Sequence, residues 1–136
     1  MNDIFFVDTV GWLAIVNDSD SLHKKASEIY LKKVAAGWNV LTHQAVLLEV
    51  GNGLSSRKQR HLAVELVEKL KAAMHVEIIQ VDEDFYEAGW NLYSARPDKD
   101  WGIVDCISFV LMKREGIIEA LTADHHFEQA GFIKLL

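Results

Sequence analysis

Residues 4–10 read IFFVDTV, and the reading of that stretch decides the fold. Ile4 to Val7 are four consecutive apolar residues, rich in strand formers and without polar alternation, as in a strand covered on both faces. Asp8 and Thr9 follow at once, so the C-terminal end of the strand carries a carboxylate. Parallel neighbours of such a central strand must be reached through helical crossovers.

The rest of the chain supplies them. Gly11 to Val16 begins a helix. From Leu22 the apolar positions Leu22, Ala26, Ile29, Tyr30 and Val34 recur at helical spacing, with Gly37 as the stop. Residues 38–42 have strand character, and residues 44–54 return to a helical pattern. Leu62, Leu66, Val67, Leu70, Ala73 and Met74 form an amphipathic stripe. Residues 76–81 read as a strand, after which Asp82 is the expected N-cap of a helix running to about Ala95. A loop over 96–100 offers Asp100 as N-cap for a helix that carries Asp105. Residues 118–123 form a strand ending at Asp124, and 132–135 a last short one. Strands alternating with helices predict an α/β protein: a three-layer α/β/α sandwich around a mainly parallel sheet.

At 136 residues with one proline the chain is expected to be a single domain, residues 1–136, large enough to enclose one core. No apolar run approaches the length of about 20 residues that spans a bilayer. The first 18 residues, MNDIFFVDTVGWLAIVND, lack the basic start of a signal peptide and are read as part of the fold. The one cysteine, Cys106, excludes an internal disulfide and fits a reducing, cytoplasmic setting. A net charge of −6 argues at first sight against nucleic acid as a partner. That objection weakens if several acids hold a divalent cation, because the site then presents positive charge to phosphate.

Four acids stand where their apolar neighbours predict burial: Asp8 ends IFFVD, Glu49 interrupts AVLLEV, Asp105 interrupts GIVDCISF, and Asp124 ends EALTAD. None has a basic residue in its own segment. Singly, Asp8 and Asp124 read as helix N-caps, Asp105 as a first-turn acid favoured by the helix dipole, and Glu49 as the partner of a distant cation. Together they read differently. In an open parallel sheet the strand C-termini and the helix starts after them share the edge where ligands bind. Like charges gathered there force protonation or a bound cation. All-oxygen donors suit Mg²⁺ or Mn²⁺, and such a centre activates water against a phosphodiester.

FVDTV, LLEVGNGL, KDWGIVDCISFVLM and ALTADHHFEQAGF occur in the order of, and resemble, the motifs of PIN-domain ribonucleases of the VapC toxin type. The resemblance runs from end to end. It implies an α/β/α sandwich and Mg²⁺- or Mn²⁺-dependent endoribonuclease activity, in which water attacks in line to leave 5′-phosphate and 3′-hydroxyl ends. By motif position Asp8, Glu49, Asp105 and Asp124 are the metal-binding catalytic quartet, with Asp8 and Asp105 the firmest direct ligands and Thr9 and Asn52 as orienting groups. The resemblance also implies a homodimer and a small antitoxin protein whose basic or bulky side chains enter the acidic pocket. Two positions depart from the family pattern. Ser commonly precedes the third acid where this chain has Gly102, and Thr often stands where it has Val104, so hydroxyl support for Asp105 is expected to be missing.

SSRKQRH, residues 55–61, is the densest basic cluster. It reads either as a solvated helix start capped by Ser55 or Ser56, or as an RNA-phosphate grip through Arg57, Lys58 and Arg60. Arg96 and Lys99 are a second candidate grip. His125 and His126 have no further His or Cys at ligand spacing, which favours a structural role over zinc. Trp90, Tyr93 and Trp101 are either core or interface residues, or base-stacking rings. Val10 stands where a haloacid-dehalogenase-type phosphatase needs a second Asp, and the first strand lacks the glycine-rich turn of a dinucleotide site. The rival from another class is a PIN-like module that binds RNA or protein without cutting.

Overall fold

The computed structural model describes residues 3–136; Met1 and Asn2, the start of the N-terminal stretch read as part of the fold, lie outside them. Strand β1 (Ile4–Val7) leads into α1 (Thr9–Val16) and α2 (His23–Ala35), then β2 (Asn39–His43), α3 (Gln44–Gly53), α4 (Arg60–Ala72) and β3 (Val76–Ile79). The second half runs α5 (Glu83–Ala95), α6 (Ile103–Glu115), β4 (Glu119–Leu121), α7 (His126–Gln129) and β5 (Ile133–Lys134). All strand pairs are parallel, in the order β3-β2-β1-β4-β5, so β1 is central as its unbroken apolar run implies.

Successive strand residues point to opposite faces, and β1 shows what covers each. Phe5 meets Tyr30 of α2 edge-on at 5.9 Å, and Tyr30 in turn meets Trp12 of α1 at 5.7 Å. Phe6 stacks on Phe127 of α7 at 6.2 Å, and Phe127 meets Phe109 of α6 at 4.9 Å. Helices therefore lie on both faces, and the expected three layers are present. Phe5, Phe6 and Val7 are fully buried, each such side chain contributing on the order of 2 kcal/mol.

The register places the site. Phe6 pairs with Ala120 and Val7 with Leu121, so β1 and β4 end together and Asp8 emerges beside Thr122. The Asp8 N–H donates to the Leu121 carbonyl at 3.3 Å, the last bond of that ladder. α1 then crosses so closely that a Cβ on Gly11 would lie 2.3 Å from the Leu121 oxygen. Only glycine allows that approach.

Most expected elements appear within two residues of their predicted ends, but two caps differ. The N-cap of α6 is Gly102 rather than Asp100, because the Asp105 carboxylate turns back to accept the Gly102 N–H at 3.1 Å and closes the helix there. The N-cap of α4 is Gln59 rather than Ser55 or Ser56. Those serines instead form a turn in which the Ser56 carbonyl accepts from the Gln59 and Arg60 N–H groups. Asp82 does cap α5, accepting from the Phe85 N–H at 3.0 Å.

Candidate metal centre

Asp8 occupies the N-cap position of α1 with extended φ and ψ, yet its side chain caps nothing. The carboxylate instead faces a cleft of about 690 Å³ lined also by Glu49, Asn52, Asp105, Asp124 and His126. Its Oδ2 accepts the Thr122 hydroxyl at 3.2 Å, and Thr122 itself accepts the Asp124 N–H at 3.1 Å. One threonine thus ties the first and last acids of the cleft together.

Asp105 is the third residue of α6, so the first turn of the helix aims it at the same edge. His126, at the start of α7, fixes it from the other side. The His126 Nδ1 lies 3.1 Å from Asp105 Oδ2 and 3.2 Å from Asp124 Oδ1. Two carboxylate acceptors against one ring nitrogen require that nitrogen to carry the proton. The His126 N–H also donates to Asp124 Oδ1 at 2.9 Å. His126 thus bridges Asp105 and Asp124, and with His125 and Asp124 it also forms a second group whose donor atoms lie within 4.8 Å of one another.

One oxygen each from Asp8, Asp105 and Asp124 lie within 4.8 Å of one another. Glu49 differs from expectation. It is exposed rather than buried, because α3 turns a polar stripe containing Glu49 and Asn52 toward the open side of the cleft. The Thr9 hydroxyl donates to Glu49 Oε1 and holds it at the rim. Of the two expected orienting groups, Thr9 bonds one of the four acids, whereas Asn52 lines the cleft without a hydrogen bond to any of them.

The electrostatics of the cluster are those of like charges confined together. Burial pushes the Asp8 carboxyl up to about 7; the Thr9 N–H opposes the rise, the charges of Asp105 and Glu49 add to it, and Thr122 restrains it. Asp105 is also raised, by burial first, against the Gly102 N–H; the Asp124 charge raises it further and His126 lowers it. Carboxylates packed this way favour a cation in their midst.

Other sequence candidates fall elsewhere. Arg57, Lys58 and Arg60 are exposed just past the end of α3 and do not line the cleft. The Arg60 guanidinium bonds the Ser55 carbonyl. Arg96 and Lys99 line a neighbouring groove. Sequence reasoning missed Thr122 and also a buried chain behind the acids. His43 Nδ1 accepts the Val46 N–H at 3.3 Å, so Nε2 carries the proton and donates to Ser108 Oγ at 2.8 Å. Ser108 donates onward to the Val104 carbonyl at 2.9 Å. This chain joins the N-terminus of α3, which bears Glu49, to the first turn of α6, which bears Asp105. The signal was a lone histidine inside the apolar run VLTHQAVLL.

Among family models, the one described as the PIN domain matches residues 5–133. The chain belongs to the PIN domain family. This PIN domain is 29% identical over 132 residues to the 23S rRNA-specific endonuclease VapC20 of Mycobacterium tuberculosis, an alignment covering 97% of this chain and 98% of that protein. The crystal structure of Mycobacterium tuberculosis VapC20, a Sarcin-Ricin loop cleaving toxin, matches with a TM-score of 0.85 at 28% identity, over 96% of this chain and 97% of that one. VapBC2 from Rickettsia felis, solved with a DNA fragment from its promoter, matches with a TM-score of 0.67 at 17% identity over 96% of both chains, a likeness of fold. The expected family and sandwich fold are borne out.

Proposed function

We propose that this PIN domain is a divalent-metal-dependent endoribonuclease and the toxin of a toxin–antitoxin pair. The observation that carries the reading is the convergence of Asp8, Asp105 and Asp124 at one sheet edge, with Glu49 on the rim. These four acids would hold the cation. Their donors are all carboxylate oxygens, the set preferred by Mg²⁺ or Mn²⁺, and the upward shift of Asp8 is what a bound cation would reverse. When bound, the cation supplies the positive charge that makes water nucleophilic near neutral pH and offsets charge building on the phosphate.

The chain's own groups do the positioning. Thr122 fixes Asp8, Thr9 fixes Glu49, and His126 sets Asp105 against Asp124. At Gly102 no hydroxyl stands beside Asp105, whose carboxylate accepts the Gly102 N–H, a bond that a serine at this position would offer as well. The open cleft admits a phosphodiester backbone at the rim where Glu49 stands. Arg57, Lys58 and Arg60 would meet RNA beyond the cleft.

RNA as substrate is supported by the 23S rRNA-specific relative aligned along almost the whole chain, and ribosomal RNA is the first substrate to assay. An antitoxin that inserts basic or bulky side chains into the acidic cleft is the proposed partner, consistent with the fold shared with VapBC2 and with FitAcB from Neisseria gonorrhoeae. A homodimer in the cytoplasm completes the proposal. Among the described residues no helix is long and apolar enough to cross a membrane, and the single thiol, Cys106, is free and buried.

The decisive experiment is digestion of labelled ribosomal RNA with Mg²⁺ or Mn²⁺, with EDTA, and with Asp105→Asn. Cleavage should need the ion and fall at least about 100-fold in the variant, the scale seen when one charge-stabilising group is removed from an active site. Equal cleavage in EDTA or by the variant refutes the assignment.

A further inference from the structure

Helix α5 carries an aromatic row that the fold does not use. Tyr86, Trp90 and Tyr93 are spaced for one helical face and remain 52%, 42% and 46% exposed. Their rings meet edge to face, Tyr86 with Trp90 at 6.4 Å and Trp90 with Tyr93 at 5.3 Å. Trp90 and Tyr93 line a groove of about 610 Å³ that is lined also by Arg96 and Lys99. The groove shares Asp100, Gly102 and Ile103 with the carboxylate cleft, so the two adjoin along these residues.

We infer that this groove is a nucleobase subsite, in which Trp90 and Tyr93 stack on an unpaired RNA base next to the phosphate lying in the carboxylate cleft. The inference rests on the nuclease reading and adds a preference for single-stranded or looped RNA. Every base has a stacking face, whereas a duplex keeps its bases stacked on one another. The charges of the groove agree. Arg96 is held by Asp98 through two 2.9 Å bonds and lies 5.1 Å over the Trp101 ring, while Lys99 and Asp100, of opposite charge, both line the groove, so its formal charges nearly cancel. A near-neutral groove with aromatic walls suits a base better than a phosphate chain. Glu83, Asp84 and Glu87 make the N-terminal half of α5 acidic and confine the subsite to its C-terminal half.

A second copy of the chain is the competing occupant. Aromatic side chains bury roughly 150–250 Å² each when fully covered, so three half-exposed rings could supply only part of the roughly 800 Å² per partner of a stable interface. The shared residues also place the row beside the cleft in which the phosphate would lie.

The test is fluorescence anisotropy of a labelled single-stranded RNA and of a matched duplex, in EDTA to prevent cleavage, on the full chain and on Trp90→Ala, Tyr93→Ala and Trp90→Phe. Light scattering and thermal melts run alongside. Each alanine variant should weaken single-strand binding about tenfold, the scale of one missing stack. It should leave duplex binding, the salt slope, oligomeric state and melting temperature unchanged, and Trp90→Phe should recover most of the affinity. Unchanged single-strand affinity overturns the inference. So does an affinity loss that tracks dissociation of a dimer, which makes the row an interface between copies. Asp105→Asn serves as the control: normal cleavage by that variant removes the nuclease reading and leaves the binding comparison to stand separately.

Discussion

Asp8 is the residue on which the most forces meet, being 4% exposed and facing two other acids. Asp8→Asn keeps an acceptor for the Thr122 hydroxyl and removes a buried charge. The metal-free variant is therefore expected to melt several degrees higher than the parent, since 1–2 kcal/mol is worth about 3 °C per kcal/mol at this length. Added Mn²⁺ should stabilise the parent and leave the variant unmoved, with cleavage down at least about 100-fold; thermal melts with and without Mn²⁺ check both. A variant less stable than the parent without metal would show that the acids do not strain one another. At this scale three of the four carboxylates were legible, because an acid at the end of an apolar strand or in a first helical turn has few roles. The exposure of Glu49 was not, since periodicity cannot say which flank of a helix meets an open cleft. Thr122, His43 and Ser108 were hidden for another reason: their partners lie 114 and 65 residues away in sequence.

Among elements, the joints matter more than the elements themselves. His43 couples α3 to α6 as a neutral ring, and burial holds its imidazole down at about 4 from 6.5. A base with a depressed folded value binds fewer protons than the unfolded chain between those limits. Its contribution is complete above pH 6.5 and is lost as pH falls toward 4, a swing on the order of 3 kcal/mol. His43→Asn can still cap α3 but is too short to reach Ser108. Urea unfolding should find it 1–3 kcal/mol less stable at pH 7, the cost of unpaired buried groups, with a flatter acid slope than the parent; an identical slope would exclude His43 as the titrating group. Gly11→Ala tests the other joint. Its methyl would strike the Leu121 carbonyl, costing about 1–3 kcal/mol by urea unfolding and weakening Mn²⁺ binding by parting Asp8 from Thr122. The strands and long helices were readable from spacing alone. The caps of α4 and α6 were not, because Ser and Asp near a helix start signal a cap without saying which residue makes it.

Over the whole molecule the charge of −6 sets the conditions for meeting RNA. With the acids gathered at one edge, the exposed Arg57 and Lys58 stand apart from them. Reversing both to Glu should lower RNA affinity and shrink the slope of log K against log salt by about 0.7 for each phosphate no longer neutralised. An unchanged slope, measured by anisotropy in EDTA, would remove these residues from the interface. The overall sandwich was legible because strand and helix periods alternate cleanly. Which basic groups touch the substrate was not, because surface charge carries no period.

The threading of the sheet has a consequence for the cell that makes this protein. β1 is translated first, but its neighbour β4 and the acid beyond it are translated near the end. A nascent chain on the ribosome has Asp8 and Glu49 long before Asp105 and Asp124 exist to join them. The carboxylate cluster therefore stays in two halves until most of the chain has been made.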